Sequence, residues 1–173
     1  MAELRMKGLA GIEIADIPAG GGVPLEASWE SIGVTYRDEA SLTEEDPTLT
    51  EHFSNENDDP EESDMASGKR TLAFTLIDFT PAKLVDFIGG EVTGSGATEA
   101  WNAPAQKSKI EKAFRLKSKN GYYMTFPRVS FTAKLDYNLA PSGIAKVLVT
   151  GTIMTPAADG VSSIIKGTVA TGT

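Results

Sequence analysis

Between residues 38 and 64 the chain carries twelve of its 24 aspartates and glutamates and no lysine or arginine. Such a stretch cannot enter an interior, because each unpaired carboxylate would lose its hydration without replacement. Its surroundings from 37 to 68 offer Leu42, Leu49, Phe53 and Met65 as large apolar side chains, too few for a core of their own. We expect a long acidic loop or arm over 37–68, broken by Pro47 and Pro60. The run 48–53 inside it has strand composition, and a loop of this length without internal order is uncommon. From 65 to 136 the balance reverses, with eleven lysines and arginines against six acids, a net of +5. The chain is therefore polarised along its sequence, although as a whole it stands at −8 with a pI near 4.7.

The body reads as mainly β. At 173 residues, 40% of them hydrophobic and none of them cysteine, the chain has the size of one domain stabilised by packing alone. We expect a single β domain over 1–173 with flexible N- and C-terminal ends. Apolar and polar residues alternate at 12–14, at 32–36 and most clearly in 70–76, where Leu72, Phe74 and Leu76 share one face. Further strands are expected at 110–116, 122–126, 129–135 and 144–154, with Asn120-Gly121 as a tight turn. One helix stands out. Thr80 is its N-cap, Pro81 its first residue, Leu84, Phe87 and Ile88 one apolar face, and Gly89 its stop. The expected fold is an antiparallel β-sandwich or barrel with that helix, about 81–88, on its flank.

Catalytic motifs do not emerge. The lone histidine, His52, lies in the acidic arm, no Gly-x-Ser-x-Gly elbow exists, and one His with no Cys cannot build a zinc site. Asn55 to Asp59 begins like a calcium loop, but Pro60 stands where the turn needs glycine and Ala66 where the bidentate Glu belongs. Gly20-Gly21-Gly22 completes no phosphate-binding motif. No enzyme, cofactor or metal is expected. No apolar run approaches the roughly 18 residues of a membrane span, and no apolar signal segment opens the chain, so neither membrane nor export is expected.

The best local feature is the strand expected over 107–119. Its odd positions include Lys107, Lys109, Arg115, Lys117 and Lys119, its even positions Ile110, Phe114 and Leu116. A two-residue turn at Asn120-Gly121 would set Tyr122, Met124 and Phe126 opposite Lys119, Lys117 and Arg115, inviting cation–π contacts. A longer loop would change that register. A basic and aromatic face suits an acidic partner, and the acidic partner at hand is the arm of another copy. We expect a head-to-tail contact. Leu42, Glu44, Glu45, Asp46, Leu49, Phe53, Asp58, Asp59 and Met65 on the arm would meet Lys107, Lys109, Arg115, Lys117 and Lys119. The alternative is a monomeric β-barrel module that binds an oligosaccharide or single-stranded nucleic acid.

The stretch Trp29-Glu30-Ser31-Ile32-Gly33-Val34-Thr35-Tyr36-Arg37-Asp38, then Leu42-Thr43-Glu44-Glu45-Asp46-Pro47 and Glu56-Asn57-Asp58-Asp59-Pro60-Glu61-Glu62, resembles the major tail tube proteins of long-tailed phages and prophages. The element order from Trp29 to Pro156 is similar too. The resemblance implies six-subunit rings stacked into a hollow tube, with the long loop reaching between rings. The implied partners are copies of itself, other tail proteins, and genomic DNA that passes through without specific binding. The implied place is the virion tail, assembled in the host cytoplasm. An electronegative lumen, compatible with the −8 balance, lets DNA slide where a cationic one would hold it. Similar subunits build type VI secretion tubes.

Overall fold

The structure is a computed structural model and describes residues 5–168. In chain order its strands are β1 (Leu9–Ala15), β2 (Glu30–Ser31), β3 (Ser41–Glu44), β4 (Thr48–His52), β5 (Glu62–Ala66), β6 (Arg70–Leu76), β7 (Glu91–Thr93), β8 (Ala100–Asn102), β9 (Ile110–Ser118), β10 (Tyr122–Tyr137), β11 (Ala145–Ile153) and β12 (Ile165–Thr168). One α-helix among the described residues, α1 (Pro81–Ile88), follows β6. Strands account for 46% and helices for 9%, which makes the fold mainly β and sandwich-like, as the alternation implied. The main sheet runs β2-β1-β9-β10-β11-β6-β3, antiparallel throughout, with β12 added beside β10. Of the ends expected to be flexible, residues 1–4 and 169–173 lie outside the described residues.

Side-chain alternation decides which face is inside. On β6, Leu72, Phe74 and Leu76 are buried; on β10, Phe126, Val129, Phe131 and Ala133; on β11, Val147 and Val149. Phe74, Phe87, Phe114 and Phe131 meet at the centre, ring centroids 5.2–6.4 Å apart. Truncating any one to alanine would cost about 3–5 kcal/mol. Helix α1 covers the cluster with Leu84, Phe87 and Ile88. Its ends are those the sequence specifies. The Thr80 hydroxyl accepts the Lys83 N–H at 3.4 Å, and the chain leaves through Gly89 at φ 92°, whose N–H donates to Val85.

Three expectations need correction. The alternating run 32–36 is no strand: Gly33 takes φ 97°, so pairing stops at Ser31 and resumes only as a bridge from Thr35 to Leu76. The segments 122–126 and 129–135 form one strand, β10, because the chain accommodates Pro127 in a bulge and pairing with β9 resumes at Val129. A proline that cannot donate to a ladder is tolerated there. Finally, the arm does not begin at 37. Strand β3 pairs with β6 from Ser41↔Ala73 to Glu44↔Arg70 and belongs to the main sheet.

Candidate assembly surfaces

What leaves the body is a hairpin. Glu45 N–H donates to Lys69 O at 2.9 Å, closing the base, and β4 and β5 then pair from Thr48↔Ala66 to His52↔Glu62. At that base a Cβ on residue 68 would overlap the Glu45 carbonyl, so the two chains pass at a spacing glycine alone allows. The strand expected at 48–53 is therefore present as β4, and it has a partner, β5, that the sequence pattern does not announce. Every residue of both strands is exposed. Leu49 pairs with Met65 across the hairpin, and Phe53 follows directly after β4. The exposures of Leu49, Phe53 and Met65 are 57%, 59% and 70%. Glu45, Asp46, Asp58 and Asp59 are exposed, the last two near the tip; His52 lies 3.8 Å from Asp64. Two of the arm residues named from sequence sit on the body instead. Leu42 faces Leu72 from β3, and Glu44 is 3.0 Å from Arg70 of the same chain.

The basic strand has a different environment. Its turn holds three residues, 119–121, and its register is Tyr123↔Lys117, Thr125↔Arg115 and Phe126↔Phe114, one residue away from the expected one. The cause is Ser118. Its hydroxyl accepts the Tyr122 N–H at 3.0 Å while Gly121, at φ 81°, donates to the Ser118 carbonyl, which is a turn closed by a left-handed glycine rather than a two-residue loop. Tyr123 and Thr125, not Tyr122, Met124 and Phe126, thus share the face of Arg115 and Lys117.

That face is already occupied. Arg115 is buried, with Glu13 Oε2 accepting from its Nε at 2.7 Å and Glu26 bridging Nη1 and Nη2 at 2.7 and 2.9 Å. Trp29 lies against its guanidinium at 4.7 Å and Tyr123 at 5.8 Å, so cation–π contact does occur, with other rings than expected. Lys117 reaches the second Glu13 oxygen at 2.6 Å. Burial opposes the Arg115 charge, but the Glu26 and Glu13 hydrogen bonds outweigh it and raise its pKa. The hydrogen bond from Arg115 in turn holds Glu26 below the ordinary carboxylate range. Farther along, Lys109 and Arg128 share Glu111 at 3.0 and 2.9 Å and lower its pKa, Arg128 contributing most. Lys107 donates to the Ala133 carbonyl at 3.0 Å, and Lys119 is exposed at the turn. The five cations do not form one open face.

A groove of about 440 Å³, open to solvent, lies between Leu9, Tyr36, Arg37 and Lys119. Every buried side-chain polar atom among the described residues has a hydrogen-bond partner. No helix among them is long and apolar enough to cross a membrane.

Residues 16–171, nearly the whole chain, match the family model described as phage tail tube protein. The chain belongs to that family. A tube protein is a structural part of the virion tail, built in the host cytoplasm, and not an enzyme. It works by association with its own kind and with other tail proteins. No curated protein matches this tube protein. In that light the exposed hairpin and the internally paired basic strand take on distinct meanings. The first is surface left without a partner inside the subunit; the second fastens the segment carrying Glu26 and Trp29 to the body.

Proposed function

We propose that this subunit assembles head to tail into rings of six that stack as a hollow tube, with the arm 45–68 of one copy lying on its neighbour. The observation that carries this reading is the β4–β5 hairpin itself. A two-stranded hairpin is marginal alone in water. This one has both faces exposed and leaves Leu49, Phe53 and Met65 uncovered. Covering those three on a neighbour would supply apolar burial of about 1.5–3 kcal/mol per side chain. The acids around them, Glu45, Asp46, Asp58 and Asp59, would guide encounter and register more than affinity. Of the basic partners inferred from sequence, Lys107, Lys109 and Lys119 remain exposed, whereas Arg115 and Lys117 hold Glu13 and Glu26. The net charge of −8 suits a lumen through which DNA slides without being held.

Electron microscopy of concentrated protein tests the reading, with the chain compared to a deletion of 46–67. Strand β3 stays in the sheet in that deletion, and Glu45, Gly68 and Lys69 can close the turn to β6. The full chain should give hollow rings and stacks; the deletion should stay folded by circular dichroism and fail to stack. Tubes formed equally by both would refute the role of the arm.

A further inference from the structure

We propose that the tip of the β10–β11 hairpin, residues 135–145, is the surface on the next copy that receives the arm. This rests on the self-assembly reading above and adds the receiving surface.

Topology places the two projections at opposite ends of one sheet. The arm leaves where Glu44 pairs with Arg70, at the start of β6. At the other end of β6, Leu76 pairs with Val147, and beyond that pair β10 and β11 run on together to Tyr137↔Ala145. A displacement along β6 therefore brings the arm of one copy toward the tip of another, and the same displacement can be repeated. At about 3.3 Å per residue, the limb from 45 to 55 spans roughly 30 Å, enough to leave its own body.

The chemistry of the tip fits. The inward face of β10 reads Phe131, Ala133, Leu135, Tyr137; the first two are buried, the last two are 41% and 46% exposed. The core face thus continues past the core and is left about half exposed. Phe79 stacks on Tyr137 at 6.1 Å, but Leu139, in the connection, is 90% exposed and Ile144 42%. Large apolar side chains exposed together on one hairpin tip suit a contact site. Bases that suit the arm flank the tip, which itself carries Asp136 and no lysine or arginine. Lys134 is exposed at the base of the tip, Lys107 is anchored there through the Ala133 carbonyl, and Asp136 is the one acid in 129–147. The arm has twelve acids in and around it and no lysine or arginine to oppose these bases.

The absence of native cysteine makes the test direct. Leu49→Cys and Leu139→Cys chains are mixed at assembling concentration under mild oxidation, beside each variant alone and beside Thr50→Cys, on the opposite face of β4, mixed with Leu139→Cys. The inference expects a disulfide heterodimer enriched at least about tenfold in the first mixture over the others, and expects Leu139→Asp to raise the concentration for half-assembly roughly tenfold or more, as loss of one buried leucine would. Because Leu139 is so exposed, that variant should keep its thermal transition. Assemblies visible by microscopy without the Leu49–Leu139 cross-link would overturn the inference and leave self-assembly standing. No assembly by the unmodified chain would remove both.

Discussion

The molecule holds two strongly charged hairpins with opposite fates. The basic strand β9 is neutralised inside its own chain: Glu13 lies directly across from Arg115, and the chain from Asp16 onward folds back to add Glu26 and Trp29. The acidic hairpin β4–β5 has no comparable cover, and its apolar side chains stand in water beside its carboxylates. Charge alone does not distinguish them. What does is whether the apolar part of each hairpin is buried in the subunit, and by that measure β9 is a structural member and the arm an unfinished one.

The largest expected contrast is in stability. Arg115→Ala would leave Glu13 with Lys117 alone and free the Glu26 segment; removing one member of a buried ion pair costs about 3–5 kcal/mol, here toward the lower end because Glu13 keeps Lys117 and Glu26 is open to water. Urea denaturation should register it as a clear fall in midpoint. An unchanged midpoint would make β9 as dispensable as the arm. Next, Ser118→Ala should lower stability by about 1 kcal/mol, since the Tyr122 N–H loses its acceptor at the turn.

Acid sharpens the comparison further. Glu26 and Glu111 both have pKa values depressed by arginine, from an ordinary 4.5. A depressed carboxylate contributes stability that is complete above its unfolded pKa and lost as pH falls through the folded one. Melting of the isolated subunit between pH 6 and pH 3 should therefore show a decline that is shallower in a Glu26→Gln, Glu111→Gln double variant. The smallest effect is expected from the arm: Leu49→Asp with Met65→Asp should move subunit stability by less than about 0.5 kcal/mol, as exposed substitutions do, while preventing stacking in sedimentation. A large loss of subunit stability would mean the arm is packed after all.

Much of this was legible because it is local. Helix α1 could be read from Thr80, Pro81 and Gly89 since caps act within a few residues, and β6 from its alternation. Long-range pairing was not. Arg115 looks like one of a row of surface cations because its partner Glu13 is 102 residues away; the available clue was Glu13 itself, an acid between Ile12 and Ile14 on a strand whose other face is core. The β9–β10 register turned on one hydroxyl, Ser118, which composition does not reveal. Strand β5 was hidden by its charge: Glu62-Ser63-Asp64 has little strand propensity and pairs because β4 lies beside it. The acidic arm, by contrast, was evident as a region rich in acid, and Leu49, Phe53 and Met65 were identifiable by their rarity, although the same reasoning placed Leu42 on the arm when it belongs to β3.

The most direct test of the whole account is amide hydrogen exchange over 48–66, measured in dilute subunits and again in assembled material, with 110–118 as the internal reference. We expect fast exchange of the arm in dilute solution, protection increased by at least about a hundredfold on assembly, and little change in β9. An arm protected as well in dilute subunits as β9, or one that gains nothing on assembly, would contradict it.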